Sequence, residues 1–171
     1  MTAEVVDVRP AEASDAAQLL ALLLQLATES NTFTVDDGLG ELSEADERAQ
    51  IEQITRTTTN TIFVAVLDQQ LIGVGTVQAT EDLLKPRGEI GVAVLKQYWG
   101  NGLGTALVEE LITWARDFST LAELFLTVQT RNTRAVKLYQ QLGFKSVTPT
   151  AYQVVDPTGE KVCAIDMVLP V

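Results

Sequence analysis

The stretch Val92-Ala93-Val94-Leu95-Lys96-Gln97-Tyr98-Trp99-Gly100-Asn101-Gly102-Leu103-Gly104-Thr105 sets three glycines at alternate positions between a β-branched apolar run and a run with helical spacing. The first N–H groups of a helix lack intrahelical acceptors, and glycine leaves them unshielded. Such a place suits an anion, a phosphate above all. The same glycines also suit a turn that packs a helix closely onto a sheet, and from this stretch alone both readings stand. It is neither of two familiar phosphate loops. No Gly-Lys-Ser/Thr follows, and the spacing is G-x-G-x-G, not G-x-G-x-x-G opening a strand–helix–strand unit.

A second segment follows closely. After Leu124–Gln129, Asn132 stands where a helix cap belongs, Ala135, Leu138, Tyr139 and Leu142 share one helical face, and Gly143 stands where the helix must end. Tyr139 carries a phenol that donates a proton or, on the plainer reading, is a core aromatic. The chain has no histidine, which excludes Ser-His-Asp and Cys-His catalysis and imidazole-held metals. General acid–base work then falls to a carboxylate, a phenol, an amine or water. The single cysteine, Cys163, excludes an intrachain disulfide, and within Val162-Cys163-Ala164-Ile165 it reads as a buried small hydrophobe in a strand.

The elements around these segments read as follows. Val5–Arg9 is a short strand stopped by Pro10. Ser14 caps a helix running to about Glu29, with Leu19, Leu22, Leu23 and Leu26 inward. Asn31–Gly40 is a loop. Leu42, Ser43 and Asp46 form a staple, cap and capping box for a weakly amphipathic helix carrying Ala49, Ile51 and Ile54. Ile62–Leu67 and Leu71–Val77 are a hairpin about Asp68-Gln69-Gln70, and Glu89–Val94 is the next strand. Gly102–Asp117 is a helix with Leu103, Leu107, Leu111, Trp114 and Phe118 at helical spacing, the last two read as core. Phe144–Val155 is a strand irregular near Pro149, and Val162–Leu169 is the last strand. This predicts one α+β domain over residues 1–171: a mixed, mostly antiparallel sheet of about six to seven strands flanked by about four helices.

With both segments in this order and context, the chain resembles the GNAT superfamily, the acetyl-CoA-dependent N-acetyltransferases, over nearly its whole length. The resemblance implies that the strands Glu89–Val94 and Leu124–Gln129 are parallel and splay at their C-terminal ends. The pantetheine arm of acetyl-CoA, as co-substrate, would pair there with the backbone of Val92, Ala93 and Val94. Its pyrophosphate would rest on the N–H groups of Trp99, Gly100, Asn101, Gly102, Leu103, Gly104 and Thr105. Asn132 would hold the amide network and cap its helix, and Arg134 or Lys137 would meet a phosphate. Tyr139 would protonate the leaving thiolate while an N–H of residues 92–94 polarises the thioester carbonyl. An amine would attack directly, with no acyl-enzyme and no metal. Two positions depart from the family pattern. Trp99 stands where Arg or Gln is frequent, and Thr127 stands where some peptide-modifying members carry the basic Glu. Glu89 is the candidate base, Glu29 and Glu81 weaker ones. A solvated strand-end carboxylate and a water chain remain the alternatives.

The formal net charge is −11, which disfavours sequence-independent binding to nucleic acid and favours cationic partners. Asp36, Asp37, Glu41, Glu44, Asp46, Glu47 and Glu52 face only Arg48 between residues 31 and 52. Arg131, Arg134, Lys137 and Lys145 stand without an acid between 124 and 155. Either these are two solvated faces or the first draws in a cationic amine and the second a phosphate. Phe33 and Trp99 are expected to be exposed near ligand. No leader or membrane span is evident, so a cytoplasmic protein is expected, with a homodimer as one allowed state. The resemblance points to acetylation of a small cationic amine. The alternatives are a protein N-terminus or lysine, or a sensor that binds acyl-CoA without turnover.

Overall fold

The computed structural model describes residues 5–29, 42–81, 85–147 and 151–171. The strands are β1 (Asp7–Pro10), β2 (Thr61–Leu67), β3 (Gln70–Ala79), β4 (Arg87–Val94), β5 (Glu123–Gln129), β6 (Lys145–Ser146), β7 (Tyr152–Val155) and β8 (Lys161–Pro170). The helices are α1 (Ala16–Glu29), α2 (Glu44–Thr55), α3 (Leu103–Phe118) and α4 (Thr133–Gln141). One sheet runs β1-β2-β3-β4-β5-β8-β6, with β7 also paired to β8. All its ladders are antiparallel except β4–β5. This is the expected mixed sheet with four helices.

An eighth strand arises because residues 144–155 do not form one continuous strand. Lys145–Ser146 and Tyr152–Val155 pair separately with β8, and Pro149 lies outside the described residues. Pro10 does not stop β1 but is its last residue, which costs nothing because β1 is an edge strand with no neighbour needing that N–H. Ser14 is not the cap of α1. Ala13–Asp15 is a short 3₁₀ turn, and the Asp15 carboxylate takes the capping part, accepting from Glu12 N–H at 2.7 Å and pairing with Arg9 at 2.7 Å. The Arg9 guanidinium holds the Asp15 carboxyl below its usual range.

Other local signals are met. Ser43 Oγ accepts from Asp46 N–H at 3.1 Å, and Asp46 accepts in return from Ser43 N–H at 3.4 Å. The β2–β3 hairpin closes through Asp68 and Gln69 at φ 48° and 66°, the left-handed pair of a two-residue turn.

The two faces of the sheet separate the helices. Leu107 and Leu111 of α3 lie against Gly73 and Gly75, so the odd residues of β3 face α3. Ile72 and Val74 point the other way and are buried, under α1 and α2. Leu138 of α4 lies against Gly104 of α3, so α3 and α4 share a face, as right-handed crossovers require. The inner face of α3 is Leu103, Leu107, Val108, Leu111, Ile112 and Ala115. Trp114 is half-buried against this core, but Phe118 is 70% exposed, because it ends α3 and projects beyond the packed turns. Cys163 is likewise exposed rather than buried. It pairs with Gln153 in the β7–β8 hairpin, which extends past the point where β5 ends against β8. Among the described residues, no helix is long and apolar enough to cross a membrane.

Candidate active site

The two parallel strands form a fork. β4 and β5 pair at Arg87–Glu123, Gly88–Leu124 and Glu89–Phe125, and then the ladder stops although both strands continue. Leu95 N–H bonds to Ile72 O at 2.9 Å, and alternation turns the main-chain groups of Ala93 and Gly91 toward β3 as well. Those of Val92 and Val94 therefore face the opening between the strands. Of the three expected pantetheine contacts, Val92 and Val94 offer backbone to the gap. Ala93 offers only its side chain, on the α1–α2 face. The Val94 carbonyl accepts the Trp99 indole N–H at 2.7 Å, which leaves Val92 N–H, Val92 C=O and Val94 N–H on that edge.

At the open end, a 3₁₀ turn at Lys96–Tyr98 leads into Gly100 at φ +87° and Gly102 at φ +77°. Gly102 is the N-cap of α3, and no side chain caps it. The N–H groups of Leu103, Gly104 and Thr105 thus start the helix without a side-chain acceptor. Gly102 and Gly104 divide between the two readings left open by the sequence. No described atom lies within 4 Å of where a Cβ on Gly102 would stand, so its lack of a side chain opens space. On Gly104 the same atom would meet Leu138 Cδ1 at 3.2 Å, so Gly104 serves close packing of α3 on α4. Asn101 pins the loop by donating to Tyr98 O at 2.9 Å. Trp99 is exposed, as expected, and the Arg134 guanidinium lies 5.9 Å from its ring centre.

The helix α4 supplies the other wall. Asn132 caps it, accepting from Ala135 N–H at 3.2 Å; Arg134 and Lys137 are exposed and line the cleft, and Arg134 reaches the glycine loop, its Nη2 3.5 Å from where a Cβ on Gly100 would stand. The helix ends in a Schellman arrangement: Phe144 N–H bonds to Tyr139 O at 3.0 Å and Gly143 N–H to Gln140 O at 3.1 Å, with Gly143 at φ +99°. That cap also seats Tyr139, whose ring meets Phe144 edge-on at 5.6 Å. Tyr139 is buried, lines the cleft, and its hydroxyl has no hydrogen-bond partner among the described residues. Burial pushes the phenol up to about 12.

The sequence-predicted carboxylates separate clearly. Glu89 belongs to the last rung of the parallel ladder, at the apex of the fork, and is exposed into the cleft. Glu29 is engaged otherwise: it accepts from Lys96 N–H at 2.9 Å and from Gln25 at 3.2 Å, tying the end of α1 to the loop after β4. Glu81 is exposed and does not line the cleft. The loop Asn31–Gly40, with Phe33, Asp36 and Asp37, lies outside the described residues, as does Glu41. In the basic segment, Arg131 is committed to structure. It pairs with Asp156 at 2.7 Å and Glu160 at 3.3 Å, locking the β7–β8 turn to the loop before α4.

The sequence named Glu47 only as one of an acidic group and did not single out Asp166. Asp166 lies opposite Thr127 in the β5–β8 ladder and accepts from the hydroxyls of Thr127 and Tyr152. Glu47 of α2 is buried, and it lines the cleft with Thr76, Gln78 and Glu89. Burial pushes its carboxyl above the usual range. It was hidden among exposed acids, but its spacing of four from Ile51 places it on the inward stripe of α2. The whole cleft, about 2180 Å³, runs from α1 and α2 through the fork to the start of α3. That exceeds the roughly 300–1,000 Å³ of a single drug-sized pocket.

Comparison with known proteins agrees with this geometry. The family model of the acetyltransferase (GNAT) family matches residues 18–144, and the chain belongs to that family. An N-alpha-acetyltransferase of Sulfurisphaera tokodaii is 31% identical over 94 residues, covering 50% of this chain and 56% of the relative. The chain thus spans about half the length of the curated relatives that it matches first. A GNAT-family acetyltransferase from Streptococcus pneumoniae superposes with a TM-score of 0.87 at 28% identity, covering 98% of this chain and 100% of that one. The fold is also that of a phosphinothricin acetyltransferase from Sinorhizobium meliloti solved in complex with acetyl-CoA, at TM-score 0.79 and 17% identity, covering 97% and 88%.

Proposed function

We propose that the protein transfers an acetyl group from acetyl-CoA to an amine, with a small cationic amine as acceptor. The observation that carries this is the fork: a parallel ladder that ends at Glu89–Phe125, with Val92 and Val94 main-chain groups on the open edge and the uncapped start of α3 beyond it. An extended amide-bearing arm pairs with such an edge as an added strand would. The N–H groups after Gly102 suit a diphosphate, and Arg134 and Lys137 stand beside them for further phosphate charge.

The residues then divide the work. Val92 or Val94 N–H points at the thioester carbonyl and stabilises the oxyanion that develops there. Glu89, directly or through a water, takes a proton from the acceptor ammonium and so frees the lone pair of the amine. The amine nitrogen forms the C–N bond as the C–S bond breaks, Tyr139 Oη gives its proton to the departing sulfur, and the second proton now on nitrogen passes through water to the phenolate and restores Tyr139. A phenol at about 12 is fully protonated at neutral pH. The burial that raises it also raises a thiolate formed at the same place, so donor and acceptor are shifted together.

The acidic lining of the cleft, Glu47 and Glu89, supports a cationic acceptor. The N-alpha-acetyltransferase relative favours a second reading, in which a protein α-amine is the acceptor. Thiol release from acetyl-CoA with a panel of small amines and N-terminal peptides tests both. Turnover with small amines carries the first, and turnover restricted to peptides carries the second. Coenzyme binding with no turnover on any member refutes transferase function and leaves a sensor.

A further inference from the structure

Glu47 differs from the other acids of α2. Glu44, Asp46 and Glu52 are exposed, whereas Glu47 is only 4% exposed. It sits one turn before Ile51 on the stripe facing the sheet. Among the described residues no ion pair or side-chain hydrogen bond engages its carboxyl, and burial raises it above the usual range. An ionised carboxylate held this way is costly, and a leucine or methionine would fill the position at less cost. The carboxyl is nevertheless reachable by a ligand. It lines the same cleft as Thr76, Gln78 and Glu89. Strand alternation puts those three side chains on the α1–α2 face of the sheet, where α1 packs on β3 and α2 on β2.

We propose that Glu47 is a specificity-determining residue that receives a second, distal cationic group of the acceptor. The preferred substrate is then a diamine, or an amine bearing a remote positive charge. The inference rests on the acceptor reading above and deepens it. A distal ammonium supplies a charged partner inside the cleft, whereas a monoamine of equal length leaves the carboxylate without one. Sites built around a polar partner discriminate strongly against the analogue that lacks it, because the penalty falls on the group left behind. Glu89 at the fork and Glu47 deeper under α2 thus have separate tasks: one handles the reacting nitrogen, the other reads charge at a distance from it.

The test compares kcat/KM for 1,5-diaminopentane and n-pentylamine, with acetyl-CoA, on the full chain and its Glu47→Gln and Glu47→Asp variants. The wild type is expected to prefer the diamine by about tenfold or more. Glu47→Gln is expected to bring the ratio close to one, mainly through the KM of the diamine, and Glu47→Asp to keep part of the preference. Coenzyme A affinity should stay unchanged, and the thermal midpoint of Glu47→Gln should not fall, since a buried unpaired carboxyl has been removed. A ratio unaffected by Glu47→Gln overturns the proposal. So does a ratio near one in the wild type, or a lowered midpoint in the variant, which would reveal a structural partner. No turnover with any amine strikes the acceptor reading itself, and this proposal falls with it.

Discussion

Replacing Gly102 by alanine separates ligand binding from folding more sharply than any other single change. Gly102 holds φ +77°, where an L-residue costs about 1–2 kcal/mol. No further penalty applies, because no described atom lies within 4 Å of the added methyl. For a chain of 171 residues this lowers the melting temperature by roughly 2–8 °C. In the proposed binding mode the methyl would stand in the space from which a diphosphate approaches the first N–H groups of α3. Losing one hydrogen bond to a charged acceptor costs about 1.5–3 kcal/mol, or roughly 10- to 150-fold in Kd. Gly88→Ala supplies the contrast. Its Cβ would meet Val77 Cγ1 at 2.5 Å and Leu121 Cδ1 at 2.8 Å, inside the core. Overpacking there costs about 1–3 kcal/mol, a stability loss of similar size with no cause to weaken the coenzyme. Differential scanning calorimetry and isothermal titration with coenzyme A measure both quantities. Wild-type affinity in Gly102→Ala, or equal weakening in Gly88→Ala, would refute the placement of the diphosphate.

Other consequences are as direct. Tyr139→Phe should lower kcat at least tenfold while leaving coenzyme affinity and stability near wild type, since the hydroxyl has no hydrogen-bond partner to lose among the described residues. Because an acid works protonated and this phenol lies at about 12, kcat should show no tyrosine-linked decline below about pH 11. A falling limb near pH 9 that disappears in the variant would contradict the role. The Asp156 carboxyl is held down at about 2, first by the Thr158 hydroxyl and then by Arg131. Its folded value lies below its unfolded one, so its contribution is fully present above the ordinary carboxylate range and is lost as pH falls through about 2. Asp156→Asn should therefore lower the melting temperature at pH 7, and the gap to wild type should close in strong acid. Cys163, being exposed, should react with a thiol reagent in the folded protein without prior unfolding, and protection until unfolding would count against its placement. If the acidic cleft lining steers a cationic acceptor, its KM should rise with ionic strength, and a flat response would rule steering out.

Much of this architecture is written locally. Helical and alternating periodicities, the Ser43–Asp46 capping box, the Asn132 cap and the Gly143 terminus depend on neighbours within a few residues, and each forms where the sequence places it. The order of those elements, with the glycine loop and the Asn132–Phe144 segment, was enough to identify the family. What stayed illegible depends on chain brought in from afar. The fork exists because β4 and β5 share only three rungs, a fact of sheet twist and register rather than of either strand's composition. Phe118 and Cys163 have core-like spacing, yet they lie at element ends beyond the packed layers and are exposed. Glu29 looked like a candidate base until the fold brought Lys96 N–H to it across the cleft. Asp166 became relevant only because β8 lies beside β5, opposite Thr127. The residues able to carry chemistry can thus be named from sequence, since side-chain type is a local property. Which of them meet, and which carboxylate is left unpaired, is decided by tertiary packing, because burial and partnership belong to the assembled sheet and helices.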